Sequence, residues 1–311
     1  MTRTRVLFIA GCGRSGSTLI ERILGQLPGV ESVGELRHFW TEAAGGNRLC
    51  GCGEPILSCP FWAAVIRHLY GPKPVHQLTQ LSVLPELVRT RHLPLLQSGM
   101  AEARFSRRVR GLTDELSRLL NTIRSETGAK LIVDSSKFPS YGWALSTVPE
   151  IDLFVLHLVR DPRAVAYSWW HRRRGEPGLR SRMAGLTESP AKVAIRWILW
   201  NTFIESEWGR VPERYYRIRY EDFVRDPEPA LVAVLDWIGV ANDELPFTSG
   251  DEVRLLPTHS ALGNPNRFQT GSVHIQPDEA WKTELPVRDR RLVTALTAPV
   301  LKRYGYSIGI R

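Results

Sequence analysis

Apolar residues fill Val6 to Ala10 without a break, VLFIA, and then recur at Leu19, Ile20, Ile23, Leu24 and Leu27 before Pro28-Gly29. The unbroken run suits a strand buried on both faces, and the recurrence suits a helix with one apolar side. Further strands are expected at SVGE (Ser32 to Glu35), in KLIVDSS from Lys130 and in DLFVLHLVR from Asp152. RYYRIRYED, from Arg214, alternates as a fifth strand does. Strands followed by helical patterning predict an α/β fold with a parallel sheet covered by helices. Between Pro60 and Gly128 the pattern is mainly helical, an insertion that includes AEARFSRRVRGLTDELSRLLNTIR. PAKVAIRWILWNTFIESEWG, residues 190–209, predicts another long helix. From Pro246 to Trp281 there is no periodicity, only Gly, Pro, Asn and Thr in quantity, so an irregular capping loop is expected there. No internal repeat is visible, and one domain over 1–311 is the expected organisation.

Composition narrows the choices. The 311 residues, 43% hydrophobic and 23% charged, supply one large α/β core. No apolar run nears the roughly 20 residues of a membrane span. The opening MTRTRVLFIAG has five apolar residues in a row, too few for a signal peptide, and a cytoplasmic protein is expected. The net charge of +9 implies an anionic partner. It is spread along the chain, its densest cluster being HRRRG at His171 to Gly175, which reads as a solvated helix end. No RNA-binding or zinc-finger signature accompanies it, so nucleic acid is not the expected partner. Of the four cysteines, Cys50, Cys52 and Cys59 fall in LCGCGEPILSCPFW, with no fourth metal ligand near them, and Cys12 stands apart. Free thiols in a reducing compartment are the expected state, in a tight turn packed on the core.

GCGRSGST, Gly11 to Thr18, lies between the first strand and the first helix. Such a turn offers backbone N–H groups and a helix N-terminus to phosphate. Compared with the triphosphate loop G-x-x-x-x-G-K-[ST], Ser17 replaces the lysine that would reach the β- and γ-phosphates. Arg14, Ser17 and Thr18 add donors. A second site is expected in LHLVRDPRAVAYSWW, where Arg160 ends a buried strand and Ser168 follows eight residues later, two turns into a helix.

The two stretches together resemble the PAPS-dependent sulfotransferases, where PAPS is 3′-phosphoadenosine 5′-phosphosulfate. The resemblance implies a P-loop-NTPase-like sheet with helices on both faces. It implies that Gly13, Arg14, Ser15, Gly16, Ser17 and Thr18 hold the 5′-phosphosulfate and that Arg160 and Ser168 hold the 3′-phosphate. RYEDFVRDP is similar to the segment that places a tyrosine at the adenine, here Tyr220. GNPNRFQTG resembles the loop that closes over the nucleotide, with Arg267 as a second 3′-phosphate contact, and LKRYGY near the end is also familial. Glu35, 21 residues after Arg14, resembles the general base of the tyrosylprotein and several bacterial and carbohydrate enzymes, with His38 in reserve. Lys137, 23 residues before Arg160, resembles the lysine that donates to the bridging oxygen. No metal is required by this chemistry. RHLPLL looks like the histidine-base segment of the cytosolic enzymes, but His92 lies 68 residues before Arg160 inside the helical insertion, as a surface or helix-end histidine would.

Two other readings remain at this point. A phosphotransferase using ATP and magnesium would employ Asp134 as a metal ligand, and a nucleic-acid-binding protein would use the positive charge. The acceptor hydroxyl could belong to a carbohydrate, a glycolipid, a hydroxylated natural product or a tyrosyl residue. Trp40, Trp62, Trp169 and Trp170 are candidates for its walls, though most tryptophans should be core, and 60–128 and 172–182 are candidates for its selection.

Overall fold

The computed structural model describes residues 3–46, 48–97, 102–174, 189–242 and 244–309. Five strands form the central sheet: β1 (Thr4–Ala10), β2 (Val30–Gly34), β3 (Leu131–Lys137), β4 (Ile151–Val159) and β5 (Tyr215–Arg219). They are all parallel, in the order β2-β3-β1-β4-β5. The five expected strands are these five.

The helices are α1 (Ser17–Leu24), α2 (Phe39–Ala44), α3 (Pro60–Tyr70), α4 (Val75–Leu81), α5 (Leu93–Gln97), α6 (Glu102–Thr127) and α7 (Pro139–Ser146). They continue with α8 (Pro162–Arg174), α9 (Pro190–Trp208), α10 (Tyr220–Arg225), α11 (Pro227–Ile238), α12 (Trp281–Glu284) and α13 (Val287–Arg303). The helical insertion is thus α3 to α6, between β2 and β3.

Alternation along the buried strands gives each face of the sheet its own core. Val6 and Phe8 of β1 point to one face, where Trp62, Leu116, Tyr141 and Phe203 pack. Leu7 and Ile9 point to the other, against Ile20, Ile23, Phe223 and Leu235. Both faces are therefore covered, which is why β1 reads as an uninterrupted apolar run. The chain leaves β1 toward one edge and later crosses to the other, so the carboxyl end of β1 borders a crevice between β3 and β4, where open α/β sheets bind ligands.

The segment 246–281 is more ordered than its composition suggests. β6 (Phe247–Ser249), β7 (Glu252–Leu255) and β8 (Gly271–His274) make a small antiparallel sheet. Strands of three or four residues are too short to generate a readable period, and only Val253 and Leu255 are buried among them.

Candidate active site

Each strand of the central sheet delivers a side chain to one cleft at its carboxyl end. β1 leads into the loop carrying Arg14, β2 into Glu35, β3 ends at Lys137, β4 precedes Arg160 and β5 precedes Tyr220. The cleft occupies 680 Å³, within the range of small-molecule sites. Among the described residues, its wall carries six Arg and Lys, Arg14, Arg22, Arg48, Lys137, Arg160 and Arg196, against the carboxylates of Glu35 and Asp278. That balance suits a ligand with several negative charges.

The loop is shaped by backbone that side chains resist. Gly16 has φ 97°, and a Cβ there would come within 2.5 Å of the Tyr220 ring, so the tyrosine rests directly on the loop. Ser17 and Thr18 then open α1, whose amino end faces the cleft. Arg14 itself has φ 76°, in the left-handed region that costs a non-glycine residue of order 1–3 kcal/mol. Its Nε donates to Ser168 Oγ at 2.8 Å, and its carbonyl accepts from Arg160 at 2.9 Å. Loop and β4 corner are therefore tied together. Ser15 is buried, with no partner for its hydroxyl, and the Arg160 Nε is likewise unpaired.

The Arg160 corner is fixed from three sides. Trp197 donates to the Arg160 carbonyl at 2.8 Å, Arg163 pairs with Asp161 at 2.6 Å, and the Asp161 N–H donates to Glu221 at 2.9 Å. Tyr306 of the LKRYGY segment donates to the same Glu221 at 2.7 Å. The Tyr-Glu-Asp segment thus works as a unit, with Tyr220 on the glycine loop and stacked under Arg160 at 4.5 Å. Its Glu221 holds the corner and its Asp222 pairs with Arg219 at 2.6 Å. Burial pushes the Glu221 carboxyl up. Arg160 also pairs with the half-exposed Asp278 at 2.7 Å, a contact that sequence reasoning missed because Asp278 lies in the irregular segment.

Lys137 stands opposite. Its Nζ donates to Glu35 Oε1 at 2.6 Å and to the Ser135 carbonyl at 2.8 Å, and its φ is 69°. His38 shares the cleft wall, its ring edge-on to Phe138 and its basicity lowered by burial and by Arg37. Trp169, Trp200 and Phe138 add an aromatic wall. Trp40 and Trp62 are core instead, fully buried.

Three expected placements need correction or refinement. Arg267 does not line the cleft: it is buried, donating to the carbonyls of Gly263 at 2.8 Å and Leu49 at 3.2 Å, because the loop turns its guanidinium inward. Asp134 does not face the loop either. It is fully buried and accepts from Tyr141 at 2.8 Å and from the Ser136 N–H at 2.8 Å, and burial lifts its carboxyl to about 6. His92 ends a short helix as expected but is buried, its ring accepting from the Arg89 N–H at 3.2 Å. Part of the 172–182 stretch, residues 175–182, lies outside the described residues.

A sequence model of the sulfotransferase family matches residues 59–244, which take in Lys137, Arg160, Ser168 and Tyr220. The chain belongs to this family. Human carbohydrate sulfotransferase 3 is 27% identical over 185 residues, covering 53% of the chain and 36% of the relative. Its mouse counterpart is 25% identical over 180 residues, so the chain matches about a third of the length of these curated relatives. Among solved structures, the sulfotransferase domain of the curacin biosynthetic pathway aligns with a TM-score of 0.56 and 19% identity, covering 99% of this chain and 100% of that one. The sulfotransferase domain of the Synechococcus PCC 7002 olefin synthase aligns with a TM-score of 0.52 and 23% identity, covering 98% and 96%. The parallel sheet and its flanking helices are thus the sulfotransferase fold. Among the described residues, no helix is long and apolar enough to cross a membrane.

Proposed function

We propose that the protein transfers the sulfuryl group of PAPS to an acceptor hydroxyl, with Glu35 as general base. The observation that carries this reading is the meeting of Arg14, Glu35, Lys137, Arg160, Ser168 and Tyr220 in one cationic cleft, from five strand ends and the helix after β4. The loop N–H groups, Ser17 and Thr18 would bind the 5′-phosphosulfate. Arg160 and Ser168 would bind the 3′-phosphate, and Tyr220 the adenine. The unpaired Nε of Arg160, which lines the cleft, offers a further donor to such a ligand.

In the transfer, the acceptor oxygen attacks sulfur while the bond from sulfur to the phosphate oxygen breaks. The acceptor proton passes to Glu35. Negative charge gathering on the departing phosphate and the sulfuryl oxygens is met by Arg14, Lys137 and the loop, the arrangement that lowers such barriers most. PAP, the 3′,5′-bisphosphate, then leaves. The acceptor would enter beside Trp169, Trp200 and Phe138, whose faces suit a sugar ring or an apolar scaffold. The names of the curated relatives favour the sugar as the first acceptor class to try.

Calorimetric titration with PAP and with ATP, with and without magnesium, tests this reading. Metal-independent PAP binding that weakens by roughly tenfold or more in Arg160→Ala supports it. Binding of magnesium–ATP with none of PAP would overturn it in favour of phosphotransfer.

A further inference from the structure

Outside the cleft, the fold assembles a donor set that the sequence keeps far apart. Cys50, Cys52 and Cys59 come from the turn before α3, and His259 comes from the strap between β7 and β8, 200 residues after Cys59. The Sγ and ring-nitrogen atoms of these four residues all lie within 4.8 Å of one another. Cys52 and Cys59 sulfurs are 3.6 Å apart, and His259 Nδ1 is 3.3 Å from Cys59 Sγ and 3.9 Å from Cys50 Sγ. A tetrahedral zinc with Zn–S near 2.3 Å and Zn–N near 2.05 Å sets its ligand atoms about 3.8 Å (S to S) and about 3.6 Å (S to N) apart. The observed spacings straddle those values.

We infer that Cys50, Cys52, Cys59 and His259 bind one zinc ion in a closed structural site. Three thiolates and an imidazole form a soft donor set that selects zinc over magnesium or calcium. Four protein ligands leave no open position, and none of the four lines the catalytic cleft, so the ion does no chemistry on substrate.

The surroundings are built for it. Cys59 occupies the N-cap position of α3, where the helix amino end favours a thiolate. The His259 ring stacks on Phe61 at 5.0 Å and 11°, while its carbonyl accepts from Trp62 Nε1 at 2.7 Å.

What the ion would hold is the strap that floors the active site. Immediately after His259, Ser260 Oγ donates to buried Glu21 at 2.7 Å, and the Ala261 N–H donates to Val33 at 2.9 Å. Leu262 accepts from the N–H of Glu35 at 3.3 Å, and Gly263 lies over Thr18. Gly34, just before Glu35, has φ 79°, and a Cβ there would lie 2.5 Å from the Leu262 carbonyl. The ion thus pins a segment that touches both the phosphate loop and the proposed base.

Elemental analysis of the full chain decides the matter, on protein purified without a polyhistidine tag from zinc-supplemented culture. About one zinc per chain is expected, falling below one in ten in His259→Ala and restored in His259→Cys. Cobalt in its place should give the visible absorption of a tetrahedral ion with a thiolate charge-transfer band. Should the variants fail to fold, the metal content and cobalt spectrum of the wild type suffice. Folded wild type that takes up no stoichiometric zinc on reconstitution overturns the assignment, as does a Cys52–Cys59 disulfide in protein alkylated at lysis. Neither readout depends on sulfuryl transfer.

Discussion

Lys137 Nζ and Glu35 Oε1 sit 2.6 Å apart across the ends of the neighbouring strands β3 and β2. The proposed base and the proposed charge stabiliser are thus partners before any ligand arrives, and both must exchange that contact for one with substrate. Glu35→Gln keeps the shape and removes the base. Turnover should fall by roughly 100-fold or more, the usual scale for a general base. PAP affinity, measured by calorimetry, should hold; unchanged turnover would move the role to His38.

Arg160→Ala removes the cation proposed for the 3′-phosphate. A charge-assisted hydrogen bond contributes about 1.5–3 kcal/mol, so PAP binding should weaken by roughly 10- to 150-fold. An equilibrium titration that finds equal affinity would dismiss this contact.

Asp278 competes for the same guanidinium at 2.7 Å, from a half-exposed position. Asp278→Asn should therefore tighten PAP by a few-fold, about the size of an exposed ion pair. The gain should shrink as salt is added, which a titration series at rising ionic strength would reveal.

Asp134→Asn separates structure from catalysis. With its carboxyl raised to about 6 from 3.8, the folded state holds this proton more tightly than the unfolded chain does. Stability from this group is then full below pH ~4 and is lost as pH rises through about 6. The difference in unfolding free energy between wild type and variant should shift by roughly 1–3 kcal/mol in the variant's favour from pH 4 to pH 7. Denaturant melts at both pH values measure it. Turnover at pH 7 should need no added magnesium in either protein. That comparison is best made by omitting magnesium, since a strong chelator would also remove the zinc inferred at Cys50, Cys52, Cys59 and His259.

The sheet was readable because both of its faces are buried: VLFIA, LIVD and FVLHLV admit few other structures. Arg14, Lys137 and Arg160 were readable because each follows such a run at a strand end, where a parallel sheet gathers its ligands, whereas Glu35 follows the short VESVG strand and was picked out by the family resemblance. Arg267 was misplaced because a loop's direction is set by tertiary contacts, here the Gly263 and Leu49 carbonyls, which leave no local pattern. The same holds for Asp278 and Arg196, which reach the cleft from segments with no motif of their own. His259 escaped notice for a related reason: metal-ligand spacing rules work within one short segment, and this cluster closes across the fold.

Arg14 and Lys137 are the only non-glycine residues among those described with positive φ, and both are cations in the cleft. Glycine at either position would relax the backbone while deleting the charge. A screen that selected this protein for heat resistance alone would therefore be drawn toward Arg14→Gly and Lys137→Gly. Its hardiest survivors would be well-folded proteins whose cleft had lost two of its cations.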